Sequence, residues 1–290
     1  MDYTKLIEKR QSVRAFTDEE VTQAERKSLT DFFDFEKALA PDLDMKFRIV
    51  DGDAANRLEG VAGYRGFAFG APAYMVLLGG ESEIDMMNAG YVGENLLLKA
   101  VELGLDTCWI TVNESSVTKR ALLMEEETQK INAIIAIGHG KKTLKGDRLD
   151  IVDPSEVRLI RRPGYAAPKM APEDITYIDT WGNSPEWDEY TVDPVVQDGL
   201  YAASLAPTFL NRQPVRYIVD GKRVILCIKK EELVSEDDNL LNIGICMLHF
   251  SAEISSNYAN AGQWVLEAPD DTSDLGLPDD YRAMTYFQFT

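Results

Sequence analysis

Two stretches of this chain are apolar on more than one side when wound as helices, and they restrict its possible folds more than any other feature. Ile84–Leu103 puts Ile84, Met87, Tyr91 and Leu98 on one face and Val92, Leu96 and Leu103 on another; Leu240–Ala261 is mostly apolar in the same way. A helix without a wet face has to be enclosed by other elements. Nowhere does an apolar run approach the ~18 residues that a membrane span needs. Both stretches are therefore core helices, and the rest of the chain has to cover them.

What surrounds them occurs twice in the same order. In the first half, a helix at Tyr3–Lys9 and a capping-box start at Thr17-Asp18-Glu19-Glu20 lead into a second helix through about Phe33. Met45–Ile49 alternates as a strand and turns at Asp51-Gly52-Asp53; Ala73–Leu78 is a fully apolar strand. After the long helix, Gly104 is a natural stop. Strand Thr107–Val112, a short helix Val117–Leu123 and strand Ile131–Ile137 follow. The second half has a helix at Val195–Leu205, a hairpin of Val215–Val219 and Arg223–Ile228 about Asp220-Gly221, and the second long helix stopping at Gly262. Strands at Gln263–Leu266 and Met284–Phe289 complete it. In both halves a Trp-bearing strand (Trp109, Trp264) follows the long helix and a final strand closes the unit. This is a degenerate internal duplication. Between the halves, Asp150–Tyr190 is broken by Pro154, Pro163, Pro168, Pro172 and Pro185 and reads as a crossing arm. The expectation is an α+β fold of two half-domains, residues 1–160 and 161–290, with antiparallel-type sheets around the pair of long helices.

Composition removes several functions. A net charge of −19, from 49 acidic and 30 basic side chains, repels nucleic-acid phosphates and anionic lipid. Three cysteines without a CxxC (Cys108, Cys227, Cys246) and two distant histidines (His139, His249) give neither a disulfide framework nor a metal site. The opening MDYTKLIEKR is charged from residue 2 and lacks the apolar core of a signal peptide, so a cytoplasmic location is expected.

Two segments carry candidate chemistry. Arg10-Gln11-Ser12-Val13-Arg14 sets two guanidinium groups and a hydroxyl on one side of an extended segment, a suitable donor set for a phosphate monoester. The same five residues also suit a solvated basic patch; Val13 and Phe16, as core anchors, favour the phosphate. Ala206-Pro207-Thr208-Phe209-Leu210-Asn211-Arg212-Gln213-Pro214 joins a helix to a strand, where binding groups usually sit. Asn211 and Gln213 present amides at alternate positions and Thr208 adds a hydroxyl, groups that match the alternating donors and acceptors of a flavin edge. Alone, it is also an ordinary polar loop.

Together the two segments resemble the nitroreductase family: R-x-S-x-R-x-F is similar to its opening motif, and A-P-T-x-x-N-R-Q-P to its second signature. Leu103-Gly104-Leu105 with Trp109-Ile110, and Ala133–Gly138 with Leu144-Lys145 and Arg148-Leu149, resemble further parts of it. The resemblance implies FMN as cofactor, NADH or NADPH as reductant and a small electron-poor acceptor such as a nitroaromatic or quinone, in ping-pong turnover. It implies that Arg10, Ser12, Lys145 and Arg148 hold the phosphate, that Arg14 faces N1 and the C2 carbonyl, and that a backbone amide near Thr111 serves N5. Pro207, Thr208, Asn211 and Gln213 would orient the ring and ribityl chain, with Gln11 structural. No catalytic acid or base is implied, because the flavin carries the chemistry. Lys145 and Arg148 lie one residue further apart than the family's usual K-x-R.

The chain departs from the family in carrying each signature once. The matching region of half one, Phe32–Asp44, lacks the asparagine and glutamine, and Arg161-Arg162-Pro163 does not replace R-x-S-x-R in half two. This resembles a fused pseudo-dimer with one FMN site, for which a single chain suffices and self-association is optional. The other function the residues admit is an FMN-binding or cofactor-free relative with a binding or regulatory role.

Overall fold

The computed structural model describes the chain except residues 36–37, 142–146, 154–155, 162–166, 188–191 and 259; within 147–153 and 156–161 only the backbone is described. The described residues form two compact units. Lys9–Ala167 make up the first with Met1, and Pro168–Thr290 the second, which also includes Asp2–Glu8. The opening helix α1 (Tyr3–Lys9) thus belongs almost entirely to the second unit, where Thr4 Oγ1 donates to Glu253 Oε2 at 2.7 Å.

In the first unit, α2 (Gln23–Phe35) precedes β1 (Lys46–Asp51), the short α3 (Asp53–Leu58), β2 (Ala73–Gly79) and the long α4 (Glu83–Glu102). Then come β3 (Asp106–Ile110), α5 (Ser115–Ala121) and β4 (Lys130–Gly138). The sheet runs β1-β2-β4-β3, antiparallel throughout, with Phe47 opposite Leu77 and both Met75 and Trp109 opposite Ile135. Strand β2 is buried along its whole length, as its unbroken apolar run requires. A separate hairpin, β5 (Asp147–Asp153) with β6 (Glu156–Arg161), follows.

In the second unit, α6 (Pro172–Ile175) and β7 (Thr176–Ile178) lead to α7 (Pro194–Ser204), β8 (Val215–Asp220) and β9 (Arg223–Lys229). The long α8 (Glu236–Asn257), β10 (Gly262–Val265) and β11 (Tyr281–Phe289) complete it. Its sheet runs β7-β8-β9-β11-β10. Apart from the extra edge strand β7, this is the order of the first sheet with β8, β9, β11 and β10 standing for β1, β2, β4 and β3. The duplication read from the sequence is therefore a duplication of topology.

The two long helices are also begun alike. Ser82 accepts from Asp85 N at 3.1 Å and Ser235 from Asp238 N at 3.0 Å; both starts read Ser-x-x-Asp. Every residue from Asp238 to Ile254 is buried, as are most of α4. In each, a buried asparagine accepts a backbone N–H from the loop that enters the sheet: Asn88 Oδ1 from Ala40 at 3.1 Å, Asn242 Oδ1 from Phe209 at 3.0 Å.

Several boundaries differ from the sequence reading. The capping box lies at Thr22 and Glu25, not Thr17 and Glu20: Thr22 N donates to Glu25 Oε2 at 2.7 Å, and Glu25 N to Thr22 Oγ1 at 3.2 Å. Both sites satisfy the same spacing rule, but Thr17 N is already taken by the His139 carbonyl. Helix α8 stops at Asn257, so Gly262 opens β10 and the turn before it is made by Asn260 at φ 59°. Gly104, at φ 89°, does end α4 as expected. The proline-rich arm is more structured than its composition indicates: it contributes a hairpin and β7, which pairs with β8 in parallel. All three cysteines are buried and free. No described helix is long and apolar enough to cross a membrane, and no described cluster of His, Cys, Asp or Glu could hold a metal.

Asp238 gives a test of how tightly α8 is enclosed. Burial pushes its carboxyl up to about 6, against the Ser235 hydroxyl, which pulls it down. A folded-state value raised above the unfolded one contributes stability at low pH that is lost as pH rises through about 4 to 6. Asp238→Asn, which keeps an acceptor for Ser235, should therefore gain on the wild type across that window, by on the order of 2 kcal/mol. Denaturation midpoints of the two proteins that run parallel between pH 4 and 7 would contradict this.

Candidate functional site

In the first unit, the candidate phosphate segment is stitched between two strand ends. Ser12 bridges to Thr107 at the start of β3, and Val13 N donates to Thr107 O at 2.9 Å. Phe16 bridges to Gly140 beyond β4, Thr17 N donates to His139 O at 2.8 Å and Lys141 N to Ala15 O at 2.9 Å. Val13 and Phe16 are buried in the unit's core, so the residues between them are pinned. The alternation of apolar anchors and polar residues thus works as the sequence implied.

The charged side chains of this segment are not on a wet surface. Arg10 has a side chain only 9% exposed, beside a Glu94 carboxylate that is fully buried, with Arg10 Nε 3.8 Å from Glu94 Oε1. Burial pushes the Arg10 guanidinium down and Glu94 opposes the shift. Arg10 Nε is buried without a hydrogen-bond acceptor among the described residues. Arg14 donates through a terminal nitrogen to Ser12 O at 3.2 Å and lies 5.7 Å from the Phe69 ring centre. Cys108, whose thiol burial pushes up, is drawn the other way by Arg14 and Arg10.

Glu94 also accepts from Trp109 Nε1 at 2.7 Å. The indole reaches it because position 93 is glycine: a Cβ there would meet the Trp109 ring at 2.6 Å. Glu94 was not among the residues picked out from the sequence. Its signal was present, though, as a lone carboxylate in the middle of a helix apolar on several sides, next to Gly93 and Asn95.

The other first-unit candidates are less closely gathered. Thr111 follows the end of β3, and its carbonyl accepts from Gly63 N at 2.7 Å. Arg148 stands in β5 opposite Ile160, its side chain outside the described part. Lys145 lies outside the described residues altogether.

In the second unit, the loop from α7 to β8 is strained. Leu210, Asn211 and Gln213 all have positive φ, at 48°, 57° and 50°. Left-handed backbone costs a non-glycine residue roughly 1–3 kcal/mol, and such strain collects where geometry matters for function. Local bonds hold it: Thr208 Oγ1 accepts from Gln213 N at 2.9 Å, Gln213 Oε1 from Met170 N at 2.7 Å, and Asn211 Nδ2 donates to Pro168 O at 2.9 Å. Pro207 follows Ala206, whose carbonyl accepts from Lys169 Nζ at 2.6 Å. Beneath the loop, Thr208, Gln213, Tyr217 and Cys246 help line a cavity of about 20 Å³, room for one water molecule. The corresponding loop of the first unit, between α2 and β1, borders a larger hollow of about 110 Å³, lined by Phe32, Phe33, Leu43, Met45, Leu96 and the polar Asn95 among others. That hollow has one amide, Asn95 of α4, while the stretch Phe32–Asp44 has no asparagine or glutamine.

A strained loop predicts a particular tolerance. Leu210→Asn should cost little, because asparagine accepts left-handed backbone, whereas the β-branched Leu210→Val should cost about 1–2 kcal/mol. Chemical denaturation of both variants checks this; equal losses would show that packing, not backbone strain, governs the position.

The family described as "Putative TM nitroreductase" matches the chain over residues 2–254. Among solved structures, a "putative nitroreductase" from Thermotoga maritima superposes with a TM-score of 0.57 at 17% identity, covering 100% of this chain and 94% of that one. A "putative nitroreductase" from Desulfovibrio desulfuricans, solved in complex with FMN, reaches 0.43 at 21% identity, over 49% of this chain and 88% of its own. An FMN-dependent nitroreductase from Clostridium difficile reaches 0.42 at 21%, over 47% and 87%. No curated protein matches.

Proposed function

The chain belongs to the family described as "Putative TM nitroreductase", and from that premise we propose that it is an FMN-dependent oxidoreductase passing hydride from NADH or NADPH to a small electron-poor acceptor. The observation that carries the cofactor assignment is the Arg10 guanidinium: buried, and with a nitrogen lacking an acceptor among the described residues. A buried donor of this kind is costly unless a ligand or a partner answers it. A phosphate monoester does so with charge-assisted bonds.

The residues present fit FMN. Arg10 and Ser12, with Arg148 and Lys145 from the segment after β4, are the candidates for the phosphate, and Arg14 for the electron-rich edge of the ring. In the second unit, Thr208, Asn211 and Gln213 offer the hydroxyl and amide groups that a flavin edge takes, on a backbone strained into place beside Pro207. Thr111 contributes backbone at the end of β3. When bound, FMN supplies the hydride chemistry, so the chain's own part is to bind, orient and stabilise charge. The fixed cation at Arg14 would favour negative charge at the ring edge, and the burial of Arg10 limits the screening of its charge by water. Each signature occurs once, so the stoichiometry is one FMN per chain, with a single chain sufficient to hold it.

Purified protein should be yellow, carry one flavin per chain, and bleach anaerobically with NADH or NADPH. A flavin ratio near two would refute the single-site assignment, and colourless protein that FMN cannot restore would refute the cofactor. Arg10→Ala should weaken FMN by roughly 1.5–3 kcal/mol and Gln11→Ala by about 1 kcal/mol or less. Equal flavin dissociation constants for the two variants would remove Arg10 from the phosphate site.

A further inference from the structure

The duplicated topology allows one position to be compared with its counterpart. Counting from the capping aspartates, Glu94 is nine residues after Asp85, and Met247 is nine residues after Asp238. Both positions do the same local job. Trp109 Nε1 donates to the Glu94 carboxylate at 2.7 Å, and Trp264 Nε1 to the Met247 backbone carbonyl at 3.1 Å. The second unit therefore satisfies its tryptophan without any side-chain charge. A fully buried carboxylate is expensive to keep unless it is paired, and the indole alone does not require one. What the first unit has beside this position is Arg10, and no ion pair among the described residues involves the counterpart, Met247.

We propose that Glu94 is the built-in counter-ion that positions Arg10 and shares its charge with the phosphate of a bound ligand. This rests on the FMN reading for the identity of the ligand, but not for the ion pair itself. Held by Trp109 on one oxygen, the carboxylate presents the other to Arg10, so the guanidinium stays in place before any ligand arrives. A phosphate then has to compete with Glu94 for the same charge. The pair keeps the empty site folded at some expense of affinity.

The test is a cycle of Glu94→Gln, Arg10→Met and the double variant, in protein stripped of flavin. Glu94→Gln keeps an acceptor for Trp109 but leaves Arg10 buried without a counter-charge. Its thermal midpoint should fall by roughly 5 °C or more, and Arg10→Met should restore it in the double variant. Inorganic phosphate should raise the midpoint of Glu94→Gln more than that of the wild type, and leave the double variant unmoved. With flavin, the preference for FMN over riboflavin, which lacks the phosphate, should grow by about tenfold in Glu94→Gln. A loss of stability that Arg10→Met does not restore would assign Glu94 to Trp109 alone and overturn the proposal. So would a Glu94→Gln variant whose midpoint phosphate raises no more than it raises that of the wild type. If no flavin binds to any of the four proteins, the FMN reading fails, while the phosphate-dependent midpoints still decide the role of Glu94.

Discussion

A helix enclosed on all sides must find a partner for every polar group it carries, and this constraint governs the rest of the structure. Both α4 and α8 are buried along most of their length, yet neither is purely apolar. Their polar positions are used to join other elements. The capping aspartates close the first turn on Ser82 and Ser235, the asparagines at 88 and 242 catch the incoming loops, and Glu94 and the Met247 carbonyl take the tryptophans. Each such bond is worth only about 1 kcal/mol net, but the loss of one partner leaves a desolvated group with nothing to replace it. The interior therefore specifies where loops and strands dock, rather than only excluding water.

Because the same frame is built twice, its differences are informative. The frame needs the capping Ser-x-x-Asp, the loop-catching asparagine and the tryptophan donor, and both units have them. It does not need Glu94, the Arg10 segment or the left-handed positions Leu210, Asn211 and Gln213, and among the described residues each of these occurs in one unit only. Function is set by the site that a fold carries, since many chemistries use one fold. What distinguishes this chain is the set of residues that its own internal repeat does without.

Much of this was legible in the sequence because it is written in periodicity. The fully apolar run Ala73–Leu78, the all-round apolar helices and the Asp220-Gly221 turn each leave few alternatives, and all three hold. The capping box was misplaced because two Thr-x-x-Glu sequences lie five residues apart, and only a tertiary bond from Thr17 N to His139 O decides between them. The end of α8 was misplaced for a similar reason: a glycine is a good helix stop, but Asn260 takes the left-handed turn first and leaves Gly262 to begin a strand. Strand β7 was invisible because prolines mask it and its partner is distant in sequence. At the site, the residue types of Arg10–Arg14 and Thr208–Gln213 could be read directly. That Arg10 lies buried against a carboxylate could not, because nothing local links residue 10 to residue 94.

The placement of α1 has a consequence for how the chain is made. Residues 2–8 are made before the first unit, yet they belong with Pro168–Thr290, held by bonds such as that from Thr4 to Glu253 near the end of α8. The buried Leu6 and Ile7 have no final place until the chain has been synthesised as far as α8. At ~5–20 residues per second, that leaves roughly a quarter of a minute or more in which an apolar helix end stays unaccommodated. Closing a loop of this length adds little to the entropic cost, which grows only logarithmically, but it delays the last step of assembly. The second unit is thus completed by a segment that is made before the first unit.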